Sequence, residues 1–386
     1  MFAQNNLELR VARAAAMEAS ALARQAAAYA NPTLGLSHEP LSDGELGYSE
    51  SYFNLSQRLE WPATRTARTA AATRLADAAR ARLAADSARL AWQVKQTYVE
   101  TARTEQVAAL LARVTTVFRN AEQSAATRLE EGDISTYERR RIGVERVRYE
   151  AALAEAELEV SAMRRTLASL IAPETDRPAL TPADSFDTPP PIVEPAGLLA
   201  ASLARRSEIV AAQADVDAAH ADATLSRRER VPAVTATGGY KRQSDGLTGA
   251  FLGLSIPLPF RDRRGGAIDA ADARVNAAAA RFALVQRQVR NDVNRALEAY
   301  ESYRRRAALL ASSMSAETAD LLTIAQVSYE AGEMDLIELL DAADALREAQ
   351  ALEARFRAGF WTSYFDLERA VGGFTSADAP DMREDT

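Results

Sequence analysis

The 386-residue sequence is rich in Ala, Arg and Glu, contains no Cys and only two His, and carries a formal net charge of -8. The lack of a basic surplus excludes a nucleic-acid binder. The lack of Cys excludes a disulfide framework, a thiolate metal site, a cysteine nucleophile and a lipid-carrying cysteine. His38 and His220 alone offer little to a Ser–His triad or a histidine-rich metal site, and 6% aromatic content points to long helices rather than a thick core.

The opening residues, Met1-Phe2-Ala3-Gln4-Asn5-Asn6, lack the basic start and apolar middle of a signal peptide. An export signal is therefore expected to lie outside this sequence, or the protein is cytoplasmic. A first helical stretch runs from Leu7 to Ala30, just before Pro32. Two alternating segments follow at about 33–40 and 48–59, separated by the turn-rich Pro40-Leu41-Ser42-Asp43-Gly44. In the second, Phe53, Leu55, Gln57 and Leu59 share one face, while Asn54, Ser56 and Arg58 share the other. A very long helical pattern covers about 63–129, breaks at Gly132 and resumes over about 135–170. Unbroken, a helix of that length extends roughly 100 Å.

Half of the 14 prolines fall between Pro173 and Pro195, and this segment reads as an extended linker. Beyond it the plan repeats: a helix from Gly197 to Arg228, strand-like segments at 232–241 and 248–258 around Ser244-Asp245-Gly246, then helices at about 263–329 and 335–371. Three anchors keep the register. Asn31-Pro32-Thr33-Leu34 recurs as Val231-Pro232-Ala233-Val234, Ser56 to Trp61 as Ser255 to Phe260, and Glu130-Glu131-Gly132-Asp133-Ile134 as Glu330-Ala331-Gly332-Glu333-Met334. This is an internal duplication. The expected division is a first repeat over 1–171, a Pro-rich linker over 172–195, a second repeat over 196–372 and a disordered tail over 373–386.

No apolar run reaches the ~18 residues of a membrane-spanning helix. The longest uncharged stretch, Gly246 to Phe260, is interrupted by Pro257 and Pro259. The hairpins allow two readings: a membrane β-barrel wall with one apolar face and aromatic ends (Tyr48, Tyr52, Trp61; Tyr240, Phe260), or a sheet packed on a soluble core. Four strands close no barrel, and open edges cannot stand in lipid, so a membrane reading requires several copies to share one barrel.

The proline-led strand Asn31-Pro32-Thr33-Leu34, the passage Ser255-Ile256-Pro257-Leu258-Pro259-Phe260-Arg261-Asp262-Arg263 and the paired breaks Leu129 to Ser135 and Tyr329 to Asp335 together resemble the TolC family of outer-membrane efflux channels. The strand entry and the Pro257 to Phe260 stretch look closest to its CzcC-like heavy-metal-efflux branch. The resemblance implies a mainly α-helical protein with a membrane β-barrel contribution. Three subunits would each give four strands to a twelve-stranded barrel above a long periplasmic α-barrel, with the linker at an equatorial belt. It implies no enzymatic activity and no cofactor. The implied partners are two further copies of the chain, outer-membrane lipid, a periplasmic membrane-fusion adaptor and an inner-membrane pump of the resistance–nodulation–division type. Compared with the family's first helix, the sequence starts near its middle, so the resemblance also implies that residues precede Met1.

On the last helix, Leu336, Leu339, Leu340, Ala343 and Leu346 form an apolar stripe opposite Glu338, Asp341, Ala345 and Glu348. Glu338 and Asp341 read by themselves as a solvated face. The resemblance implies instead that they form acidic rings at the periplasmic mouth, and that Tyr329 helps hold it shut. Three copies of each acid around an aperture favour cations. Met334 stands where the family's gate has an Arg latch. Gly132, Asp133 and Ile134, with Gly332, Glu333 and Met334, would be the tips that meet the adaptor; read alone, each Gly is a helix cap. No His or Cys cluster names a cargo, and His38 reads as an inert surface side chain. Multidrug efflux and type I secretion remain the alternatives to metal export, and a soluble Ala-rich coiled-coil scaffold is the alternative of another class.

Overall fold

A computed structural model describes residues 6–42, 47–171, 186, 188–310 and 321–374. In chain order the elements are α1 (Leu7–Ala27), β1 (Thr33–Ser42), β2 (Gly47–Leu59), α2 (Pro62–Glu131), α3 (Thr136–Ile171), α4 (Leu198–Arg205), α5 (Ser207–Arg228), β3 (Val234–Gln243), β4 (Thr248–Ser255), α6 (Gly265–Leu310), α7 (Leu321–Glu330) and α8 (Leu336–Val371). The described residues are mainly helical with one four-stranded sheet, as expected. Two compact units cut across the two halves of the sequence: Val11–Ala84 with Ser207–Gln286, and Met1–Arg10 with Ala85–Arg206 and Arg287–Thr386.

The first of these units carries the sheet, in the order β1-β2-β3-β4 and antiparallel throughout. The register aligns Leu34, Leu55, Gly238 and Leu252 in one row, with Leu36, Phe53, Tyr240 and Ala250 in the next. On this face Leu252 is 92% exposed, and Leu34, Leu36, Phe53, Leu55 and Leu254 are exposed as well. The opposite face is polar. Glu50 accepts from Lys241 at 2.7 Å, Gln243 at 2.8 Å and Tyr48 at 3.0 Å, and also from Tyr52; Ser56 and Thr237 pair at 3.0 Å. Two glycines allow this packing: a Cβ on Gly35 would fall 2.1 Å from Asn54, and one on Gly239 would collide with the Phe251 ring.

Helices of the same unit are tied by charge. The final carbonyls of α1 need external donors, and α2 supplies them: Arg65 donates to Ala27 at 2.7 Å and Arg68 to Ala28 at 3.2 Å. Arg82 pairs with Asp215, Arg227 with Asp272 and Arg274 with Asp222. Buried Ala76, Ala78, Ala223 and Ala271 take up little width at the contacts.

In the other unit Asn6 caps α1, accepting from Leu9 N–H at 3.0 Å, while its amide donates to Leu170 at 2.8 Å. The core joins Leu110, Val114, Phe118 and Ala121 of α2 to Ile142 and Tyr149 of α3, and to residues of α7 and α8. Tyr300 holds the last stretch before α4, donating to Pro191 at 2.8 Å and accepting from Val193 at 3.1 Å.

Several boundaries differ from the sequence expectation. The helix read over 197–228 breaks at Arg206, whose backbone is extended (φ -64, ψ 125) and whose buried side chain meets Asp292 at 2.9 Å. Strand β4 ends at Ser255 rather than 258, because Pro257 and Pro259 lack the N–H that a ladder needs. The helix read to Ala30 ends at Ala27, ahead of Pro32. Most of the linker (172–185 and 187), residues 311–320 of the long helix and the tail beyond 374 lie outside the described residues, so the disorder expected of that tail does too.

Candidate functional site at the paired helical turns

Two turns connect α2 to α3 and α7 to α8, and they are built alike. At the first, Gly132 adopts φ +84, its N–H reaching Leu129 and that of Asp133 reaching Arg128. At the second, Gly332 adopts φ +78, with its N–H on Tyr329 and that of Glu333 on Ser328. Both are left-handed glycine caps that close the helix end through paired 6→1 and 5→2 bonds. Each next helix then opens with a capping box. Ser135 Oγ accepts from Glu138 N–H at 3.2 Å while the Glu138 carboxylate accepts from Ser135 N–H at 2.9 Å. Asp335 Oδ1 accepts from Glu338 N–H at 2.8 Å, and the Glu338 carboxylate accepts from Asp335 N–H at 3.0 Å.

This chemistry gives several of the sequence candidates a structural task. Glu338 is exposed but occupied by its capping box, while Asp341 is exposed one turn further on. Ile134 and Met334 are only partly buried and pack against the hydrophobic core. Asp133 and Glu333 are exposed at the outer corners. The stripe Leu336, Leu339, Leu340, Ala343 and Leu346 is buried throughout.

Tyr329 is 2% exposed and belongs to the core. Arg128 of α2 crosses to it: its Nη1 donates to the Tyr329 carbonyl at 3.1 Å, and its guanidinium stands 5.5 Å from the ring centroid. Burial pushes the Tyr329 hydroxyl above the ordinary tyrosine range, against the opposing pull of Arg128. Sequence reasoning missed Arg128, because nothing local marks one Arg of a helix end as facing a turn two hundred positions away.

A second missed group lies a few turns inward. Tyr149 stacks on Phe118 at 4.7 Å and donates to Asp344 at 2.9 Å; burial, reinforced by that carboxylate, pushes its hydroxyl up to about 12. Asp344 also meets Arg347 at 3.4 Å and Arg148 at 3.9 Å. Between α2 and α3, Arg146 bridges Glu122 at 2.6 Å and Glu150 at 2.5 Å. Among the described residues no group of three or more His, Asp or Glu is placed to hold a metal ion, and no helix is long and apolar enough to cross a membrane.

Known proteins place this architecture. The family model described as outer membrane efflux protein matches residues 198–373. No curated protein matches the sequence. Among solved structures, the outer-membrane channel OprN superposes with a TM-score of 0.76 at 19% identity, over 97% of this chain and 88% of that one. CusC, solved in a study of its folding and transmembrane channel formation, gives 0.75 at 21% identity, over 97% and 90%. The CmeC outer membrane channel of Campylobacter jejuni gives 0.77 at 15% identity, over 96% and 84%. The second half of the chain thus matches the outer membrane efflux protein family, and nearly the whole length has the fold of outer-membrane channels.

Proposed function

We propose that the chain is one protomer of a passive, trimeric outer-membrane efflux channel. The observation that carries this reading is the polarity of its sheet. Leucines that a soluble sheet would bury face outward, the polar face is organised around Glu50, and β1 and β4 each have a partner strand on one side only. A sheet with an apolar exterior and two open edges satisfies its backbone in lipid only by closing with further strands. Three copies make a twelve-stranded barrel, with the repeats over 1–171 and 196–372 each giving a hairpin and the 172–195 linker between them.

The α-helical part then stands in the periplasm, and the paired turns form its inner end. Asp341 and Glu338 are the candidate selectivity rings, with Tyr329 in the closed gate. Gly132, Asp133 and Ile134, together with Gly332, Glu333 and Met334, form the docking tips for a periplasmic adaptor attached to an inner-membrane pump of the resistance–nodulation–division type. The channel does no chemistry, since the pump supplies the energy. Heavy-metal cations are the proposed cargo, on the resemblance of Asn31-Pro32-Thr33-Leu34 and Pro257 to Phe260 to the CzcC-like branch; multidrug efflux and type I secretion are the alternatives.

Expression of the chain behind an export signal tests the channel reading. It should fractionate with outer membrane, run as a trimer on unheated detergent gels and conduct in planar bilayers. A monomer dispersed in plain buffer would reject the reading in favour of a soluble scaffold. The chain has no Cys, so Asp133→Cys and Glu333→Cys provide clean crosslinking sites for the adaptor. Growth of a channel-deficient strain on metals and on drugs, with and without the protein, separates the cargo classes.

A further inference from the structure

The passage from β4 into α6 changes character at one residue. Past the last strand residue, Ser255, the side chains of Ile256, Leu258 and Phe260 are still exposed, so apolar surface continues beyond the ladder. Arginine then stands at 261, 263 and 264. The end of α5 lies against this stretch and brings Arg227, Arg228 and Arg230, since the Arg264 guanidinium meets Glu229 at 2.6 Å. Trp61, exposed just past β2, joins the same junction by donating to the Pro232 carbonyl at 2.8 Å. Six arginines thus stand against two acids, Glu229 and Asp262, in a chain of net charge -8. Both acids are engaged within the junction: Glu229 by the Arg264 side chain, and Asp262 by accepting from the Arg264 N–H at 2.7 Å. Arg227 is taken up by Asp272. Arg228, Arg230, Arg261 and Arg263 are exposed, and no described residue pairs with their side chains. The dipole of α5 accounts for Arg227 and Arg228 at its end, but not for Arg261 and Arg263, which lie outside any helix.

We infer that this basic collar binds the phosphates of anionic glycerophospholipids in the periplasmic leaflet. The inference rests on the channel reading, which sets the sheet in the bilayer and the helices in the periplasm. The junction of sheet and helix then stands at the level of the inner headgroups. Trp61 and Phe260 occupy that level, where aromatic side chains gather at a membrane surface, and the arginines follow on the aqueous side. A guanidinium presents a planar fork of donors to phosphate oxygens. Several of them without acid partners favour a lipid of net negative charge over a zwitterionic one. The occupant is a lipid rather than a soluble anion because the arginines are continuous with exposed apolar side chains, which an acyl chain covers and a free phosphate does not.

Fluorescence quenching by lipid tests this. Of the three tryptophans, Trp61, Trp92 and Trp361, only Trp61 belongs to the unit that carries the sheet, so the quenched fraction reads the junction. The trimer is reconstituted in mixtures of phosphatidylglycerol and phosphatidylcholine, with one or the other brominated near the headgroup. Wild type should be quenched preferentially by the anionic lipid, and high salt should weaken that preference. An arginine near an anionic surface is worth about fivefold in affinity. Arg261→Gln and Arg263→Gln should therefore each lower the relative affinity for phosphatidylglycerol about fivefold, and the double variant further. Arg261→Lys with Arg263→Lys keeps the charge and should keep the preference. Equal quenching of wild type by the two brominated lipids would overturn the inference without any variant, so failure of a Gln variant to assemble does not protect it. Displacement of the anionic lipid by inorganic phosphate at fixed ionic strength also overturns it, by assigning the arginines to a soluble anion. So does a double Gln variant that keeps the wild-type lipid preference; an altered reversal potential in planar bilayers would then assign the arginines to the pore. Quenching by neither lipid defeats the membrane reading itself, and the inference with it, whereas equal quenching by both defeats the inference alone.

Discussion

Substituting Leu252 by Arg distinguishes lipid from water at the sheet face. Leu252 lies mid-strand in β4, at the end of the row Leu34, Leu55, Gly238 and Leu252, and is 92% exposed. It therefore buries almost nothing within one chain, and on a water-facing surface the change should cost no more than about 0.5 kcal/mol. In the wall of a membrane barrel, Arg near the midplane costs about 2–4 kcal/mol. Three symmetric copies, too far apart to couple, bring the penalty to about 6–12 kcal/mol per trimer. That is comparable to the roughly 5–15 kcal/mol stability of an ordinary folded protein. The expected outcome for Leu252→Arg is loss of the heat-sensitive trimer from the outer-membrane fraction, with Leu252→Val assembling normally. The assay is fractionation followed by heated and unheated detergent gels. Wild-type yield of trimeric Leu252→Arg in the outer membrane would refute the assignment of this face to lipid.

Glu338→Gln keeps an acceptor for Asp335 N–H, so thermal stability in detergent should hold, whereas Glu338→Ala should lose about 1 kcal/mol with the capping box. If Glu338 and Asp341 also form rings, Glu338→Gln with Asp341→Asn lowers cation selectivity in bilayers; unchanged reversal potentials reject that role. Gly132→Ala and Gly332→Ala should each cost about 1–2 kcal/mol, because φ values of +84 and +78 disfavour any Cβ; melting temperatures of the solubilised variants check this. Tyr149 sets a pH dependence. Its folded value of about 12 lies above the ordinary tyrosine value of 10.0, so its contribution is complete below pH 10 and is lost as pH rises towards 12. Tyr149→Phe should flatten that alkaline loss in denaturation measured from pH 9 to 12; an unaltered slope would show that the hydroxyl does not carry it.

Much of the element order was legible because it rests on local chemistry. Alternation at Phe53, Leu55 and Leu59 announced a strand, and Gly132 and Gly332, which the structure places at positive φ, announced helix ends. The stripe from Leu336 to Leu346 announced a buried helix face. The break at Arg206 was not legible, since no Gly or Pro marks it and its stabilisation comes from Asp292 on another helix. Nor did the sequence show that Glu338 caps its own helix: the pattern Asp335 to Glu338 fits a capping box, but an acid on an exposed face looks the same whether free or engaged.

What the sequence determined alone was the alphabet of the fold: helices, hairpins and turns, each dictated by periodicities and by residues whose backbone preferences act over a few positions. The tertiary structure alone decided that the leucine face of the sheet stays exposed within one chain, that Tyr149 finds Asp344 and that Arg128 reaches Tyr329. Those contacts join residues about two hundred positions apart, and their energies depend on distance and burial, which no local pattern encodes.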